Sequence, residues 1–288
     1  MELIINRDWV KQAFAMYVRQ YNAEDEKILL KIRHTYRVAE ICERIAAGLG
    51  LPAYDTDLAW LIGMLHDIGR FEQLKQYGTF VDADSIDHAH FGVELLFQDG
   101  LIRDYVEWTE TESIVSDTES RGNKERPFMA FGTESRKNEG DLCVIQSAIW
   151  NHSAYRIEDG LDERTLLFCK IIRDADKVDI FKVAYDTPLE VLYRCTAEEF
   201  RNAKVTPEVM QAYQERHAVL RSLKRTPVDF LVGHIALVFE LEFPVSRNIT
   251  REQGYLQKLL SFQSDRPETA MTFEDMRKQM KEFLPENG

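Results

Sequence analysis

At 288 residues, with 44% hydrophobic and 30% charged side chains and few glycines and prolines, the chain has the composition of a folded globular protein with a helical bias. A formal net charge of −13 argues against nucleic acid or an anionic membrane surface as the main partner, because both require clustered Lys and Arg. Cys42, Cys143, Cys169 and Cys195 form no CxxC pair, so neither a disulfide framework nor a thiolate zinc site is expected.

In the opening stretch MELIINRDWVKQAF, Arg7, Asp8 and Lys11 interrupt any apolar run, which argues against a secretory leader. No stretch reaches the roughly 18 apolar residues that would span a bilayer, and a cytoplasmic protein is expected. Residues 24–49 carry Ile28, Leu29, Ile32, Tyr36, Ala39, Ile41 and Ile45 near three-and-four spacing, predicting an amphipathic helix that ends at Gly48, Gly50 and Pro52. A second helix is predicted from about residue 55 through LAWLIGMLHD to Gly69, apolar almost all round, with His66 and Asp67 in its last turn.

A third helix is predicted over 85–97 and a fourth over 141–152. Between them, 99–140 is long, polar and rich in Thr, Ser, Glu and Gly; it reads as an insertion or lid within the domain. The helix predicted over 163–181 contains LLFCKIIRDADKVDIF, which brings three carboxylates into an apolar setting. Farther on, Thr187-Pro188, Thr206-Pro207 and Thr226-Pro227 each have the form of an N-cap followed by proline at the first helical position. The chain is thus expected to be all-α, with a domain over 1–186 and a helical extension over 187–288.

A carboxylate is almost never fully buried unless it is paired or bound to a metal, so Asp67 at the end of an apolar helix needs a partner. His34, from the preceding helix, is expected at the same end of the bundle. Five of the seven histidines fall between 34 and 152, and Asp174, Asp176 and Asp179 add carboxylates. Imidazoles and carboxylates from several helices describe a transition-metal site, and a carboxylate bridging two ions is how dinuclear hydrolases and oxygenases are built.

These residues resemble the H…HD…D pattern of the HD-domain superfamily of metal-dependent phosphohydrolases: His34, then His66-Asp67 followed by Ile68-Gly69, then Asp176 in Ala175-Asp176-Lys177. His88, in HAHFG, resembles the extra histidine of two-metal members, with His90 as the alternative. His152, in IWNHS, is similar to the further histidine of that subgroup, which includes HD-GYP phosphodiesterases and diadenosine tetraphosphate hydrolases. The resemblance covers about 27–181, and SAYRIEDG after His152 lacks the GYP tripeptide.

The resemblance implies an HD-domain helical bundle with extra C-terminal helices. It also implies one metal on His34, His66, Asp67 and Asp176, with Asp67 bridging to a second on His88 and His152. One or two divalent ions per chain are expected, iron or manganese first, with magnesium, nickel and zinc as alternatives.

Asp67 and Arg70 are the expected catalytic residues, and Arg37, Arg70, Arg156 and Lys177 the expected phosphate contacts. Trp60, Phe71, Tyr77, Phe80 and Phe91 surround the HD segment; core packing is their simpler role, nucleobase stacking the alternative. The implied partner is a small phosphorylated substrate, with homo-oligomerisation open. A diiron oxygenase of the myo-inositol oxygenase kind and a non-catalytic nucleotide-sensing protein are the competing readings.

Overall fold

The computed structural model describes residues 2–22, 24–109 and 140–285. It divides into two compact units, Met1–Arg173 and Asp174–Gly288, and the division falls inside one continuous helix. Among the described residues the fold is helical apart from one pair of three-residue strands.

In the first unit, helix α1 (Arg7–Val18) starts at Asn6, whose side chain accepts from the Asp8 and Trp9 amides. Helix α2 (Glu26–Gly48) starts at Asp25 in the same way. It ends at Gly50, whose φ of +74° lets the Gly50 and Leu51 amides reach back to the Ala47 and Ala46 carbonyls. Helix α3 (Ala53–Leu65) lies against α2 at very close range: a Cβ on Gly63 would stand 2.6 Å from the Ala39 Cα. Small residues at that crossing bring the two backbones together and carry His34 and His66 with them.

The apolar run does not continue as one helix to Gly69. It breaks at His66 and Asp67, where Asp67 takes φ −104° and ψ 17°, and a new helix α4 (Ile68–Tyr77) sets off from there. The HD dipeptide therefore sits in a corner, and the broken backbone turns Asp67 inward. Gly69 is used for packing: a Cβ there would lie 2.4 Å from the His88 carbonyl oxygen and 2.7 Å from the Gly92 nitrogen. Helix α5 (His88–Val93) thereby presses its backbone against α4.

After α5 the chain makes one π-helical turn over Glu94–Gln98 and a 3₁₀ turn over Leu101–Asp104. Strand β2 (Glu107–Thr109) then pairs antiparallel with β1 (Glu2–Ile4), Leu3 opposite Trp108. The first residues of the expected insertion are thus ordered structure, with Tyr105 and Val106 buried; 110–139 lie outside the described residues. Helix α6 (Gly140–Asn151) and the first half of α7 (Glu163–Asp186) complete the unit. Arg164 on α7 ties it to α3 and α6 through ion pairs of 2.8 Å to Asp55 and 2.7 Å to Asp141.

The second unit continues α7 and adds α8 (Leu189–Leu192), α9 (Ala197–Arg201), α10 (Pro207–Gln214), α11 (Pro227–Ala236), α12 (Pro244–Gln253), α13 (Tyr255–Leu260) and α14 (Pro267–Phe283). Of the three Thr-Pro pairs, Thr206 and Thr226 are N-caps with proline at the first helical position. Thr187 is not a cap, because its amide still bonds the Val183 carbonyl in the last turn of α7 and Pro188 takes the cap position. Asp229 is fully buried, its carboxylate accepting from the Thr206, Arg225 and Thr226 amides and the Thr206 hydroxyl.

Candidate metal centre

At the α3–α4 corner the first unit gathers five of the six expected ligands. His34, His66, Asp67, His88 and His152 are all at most 4% exposed. Asp67 is the hub: its Oδ2 lies 3.4 Å from His34 Nε2 and 3.5 Å from His66 Nε2. Its Oδ1 lies 3.4 Å from His88 Nε2 and 3.8 Å from His152 Nε2. One carboxylate is therefore faced by four imidazoles, two on each oxygen.

The opposite ring nitrogens are held by the scaffold. His66 Nδ1 donates to the Gly63 carbonyl at 2.7 Å, and His152 Nδ1 to the Ile149 carbonyl at 2.7 Å. His88 Nδ1 donates to Asp82 Oδ2 at 2.8 Å. A proton held on Nδ1 leaves a lone pair on Nε2, the form of histidine that binds metals. His88 Nε2 and His152 Nε2 accordingly bring two lone pairs to 3.0 Å, a juxtaposition that a shared cation would satisfy. The donor set fits a divalent transition-metal ion, and His66, Asp67 and His152 place ligand atoms within 4.8 Å of one another.

Three side chains not anticipated from the sequence complete the surroundings. Lys31, one turn before His34 on α2, puts its ammonium 2.5 Å from Asp67 Oδ2. Gln73, fully buried on α4, donates to Asp82, the Ser85 hydroxyl and the Ile86 carbonyl, all at 2.9 Å. Arg173 on α7 donates to the Asn151 carbonyl at 2.8 Å and to that of Ala154, pinning the turn that carries His152. Burial opposes ionisation of Asp67, yet the charges of Lys31 and Arg70 hold its carboxyl well below the ordinary range. Burial also lowers the His88 imidazole, against the pull of Asp82.

Arg70 has its Nε 3.5 Å from Asp67 Oδ1, while its NH1 donates to Asp82, the Phe80 carbonyl and Gln73. Arg37 is half-buried on α2, and Arg156 is exposed beyond His152. Asp176 and Lys177 are half-buried on the part of α7 that belongs to the second unit. There Asp174 is buried and accepts the Glu242 and Phe243 amides at 3.1 Å, a structural use of its carboxylate. His90 does not join the cluster; its ring stacks on Trp150 at 3.5 Å and is partly exposed. Trp60 and Phe71 are core residues, Phe71 lying edge-on to Phe14 and Tyr17, and Tyr77 is exposed. Phe80 lies between two cations, 5.7 Å from Lys31 Nζ and 5.9 Å from Arg70 Cζ.

The family model of the HD domain matches residues 32–180, just over half of the chain and inclusive of every histidine and aspartate of this cluster. The chain belongs to the HD-domain family. HD domains bind divalent metals and are typical of metal-dependent hydrolases, and the all-helical fold agrees with that membership. No curated protein and no solved structure matches the chain significantly. Among the described residues, no helix of this HD protein is long and apolar enough to cross a membrane.

Proposed function

We propose that this HD protein hydrolyses a phosphoester or phosphoanhydride bond in a small, nucleotide-like substrate. The reading rests on one observation above the others: four imidazoles surround the Asp67 carboxylate, and at least three of them have Nδ1 committed to an acceptor outside the cluster. In this proposal His34, His66 and Asp67 hold one ion, with Asp176 added by the family pattern, and Asp67 shares a second with His88 and His152. Iron or manganese suits such ligands best. When bound, the ions activate a water and neutralise charge on the transferring phosphoryl group.

The residues around the cluster support a phosphate. In a chain of net charge −13, Lys31 and Arg70 bring two cations to the two oxygens of Asp67, with Phe80 between them. Lys31 and Arg70 would be the nearest donors to phosphoryl oxygens of a bound substrate. Arg37, Arg156 and Lys177 are the outer candidates for the rest of the substrate, and Phe80 for stacking a base.

The test is turnover. Protein loaded with Mn²⁺ or Fe²⁺ should release phosphate or nucleotide from a panel of nucleotides, dinucleotides and phosphomonoesters, and lose that activity on chelation. Absence of turnover across the whole panel by protein of verified metal content would overturn the proposal. Oxygen consumption by the iron form would favour the oxygenase reading.

A further inference from the structure

His66 and His152 lean on main-chain carbonyls, which substitution cannot alter, whereas His88 leans on a side chain. That side chain is itself held with care. Asp82 Oδ1 accepts from Arg70 NH1 at 2.6 Å and from Gln73 Nε2 at 2.9 Å, which leaves Oδ2 for His88 Nδ1 at 2.8 Å. Gln73 also grips Ser85 and Ile86, so the whole segment between α4 and α5 is fastened in the position that aims Asp82 at the ring. The other nearby carboxylate, Asp87, is spent on the Ala89 and His90 amides at the start of α5.

We propose that Asp82 is a positioning residue: it fixes His88 as the Nδ1–H tautomer with Nε2 toward Asp67 and His152, and Arg70 links it to Asp67. The inference rests on the metal-dependent reading above. A carboxylate on Nδ1 orients a ligand imidazole and strengthens it as a donor, more so than a neutral carbonyl does. His88 is then a ligand whose strength the protein sets by a side chain. Arg70, its Nε 3.5 Å from Asp67 Oδ1 as an ion pair without a hydrogen bond and its NH1 donating to Asp82, stands between the hub and the positioning carboxylate. On this account its first task is geometric.

The experiment compares the full chain with Asp82→Ala, Asp82→Glu and Asp67→Ala in two measurements. The first is the His88 tautomer in metal-stripped, ¹⁵N-histidine-labelled protein, read from ring nitrogen shifts. The second is Mn²⁺ binding and its spin-resonance signal. The unaltered protein should show His88 protonated on Nδ1. Asp82→Ala should lose that state, weaken one Mn²⁺ by roughly 10–100-fold and leave the other, with Asp82→Glu recovering part of the loss.

Asp82 is partly solvent-exposed (side chain 31%), so its removal should leave the fold intact. Should Asp82→Ala disturb folding, Asp82→Leu, which fills the space without an acceptor, replaces it in both measurements. Asp82→Ala, or its acceptor-free substitute, keeping the Nδ1–H tautomer or binding Mn²⁺ as the unaltered chain does overturns the proposal. A native chain that binds no Mn²⁺ and no Fe²⁺ overturns the hydrolase reading instead, while the tautomer measurement still decides whether Asp82 sets His88.

Discussion

Two buried aspartates, one in each unit, show how the same residue type can be structural in one place and chemical in another. Asp229 is surrounded by main-chain amides and one hydroxyl, donors that hold no net charge and cannot leave. Asp67 is surrounded by a lysine, an arginine and four imidazoles, all side chains, and among these Lys31 alone comes closer than 3.4 Å. A carboxylate closed by fixed dipoles stabilises the fold around it. One faced by ring nitrogens and side-chain cations is a place where an ion and a substrate could take over those partners.

The largest effects separate the two directly. Asp67→Ala should reduce bound metal to background and remove measurable turnover, with the helical circular dichroism signal retained; elemental analysis and the phosphate-release assay check both. Asp229→Ala should do the reverse. It removes the acceptor of three main-chain amides, that of Thr206 buried and those of Arg225 and Thr226 partly so; a buried amide without an acceptor costs about 1–3 kcal/mol, so urea unfolding should show a loss on the order of 3 kcal/mol. Metal content per folded chain should not change. An Asp229 variant that folds but loses its metal would break the comparison.

A smaller effect tests whether the corner that holds Asp67 is as tightly fixed as its packing implies. In Gly69→Ala the added methyl meets main chain on α5, the His88 carbonyl and the Gly92 nitrogen, and neither can rotate away. The backbones must separate, at an expected cost of about 1–3 kcal/mol for overpacking. Because His88 moves with its own carbonyl, Mn²⁺ affinity should fall alongside the melting temperature. Stability lost with metal affinity unchanged would mean that α5 shifts without carrying His88.

The same contrast explains what the sequence discloses. His34, His66, Asp67, His88 and His152 stand out because imidazole and carboxylate among apolar helix residues are costly unless used. Lys31 does not, since a lysine on an amphipathic helix looks like any solvated face. Asp82 lies in DADS, which reads as a turn, and its partner Gln73 is neutral. The break at His66-Asp67 is silent too: no proline marks it, and the nearby Gly69 serves the contact with α5. The helices announce themselves by periodicity, whereas β1 and β2 are three residues each, too short for an alternating pattern.

The smallest effect concerns a histidine on the structural side of the comparison. His234, on α11, has Nδ1 3.1 Å from the Tyr193 hydroxyl, a hydrogen bond, and burial together with the Lys224 charge lowers its pKa to about 3. An unfolded histidine titrates near 6.5. Below that pH the unfolded chain therefore takes up a proton that the folded ring refuses, and stability falls as the solution is acidified. By pH 5.5 the loss from this residue should approach about 1.4 kcal/mol. His234→Asn keeps an acceptor for Tyr193 and removes the titration, so urea unfolding between pH 7 and 5.5 should fall less steeply in the variant. Equal slopes would show that His234 charges in the folded chain as readily as in the unfolded one.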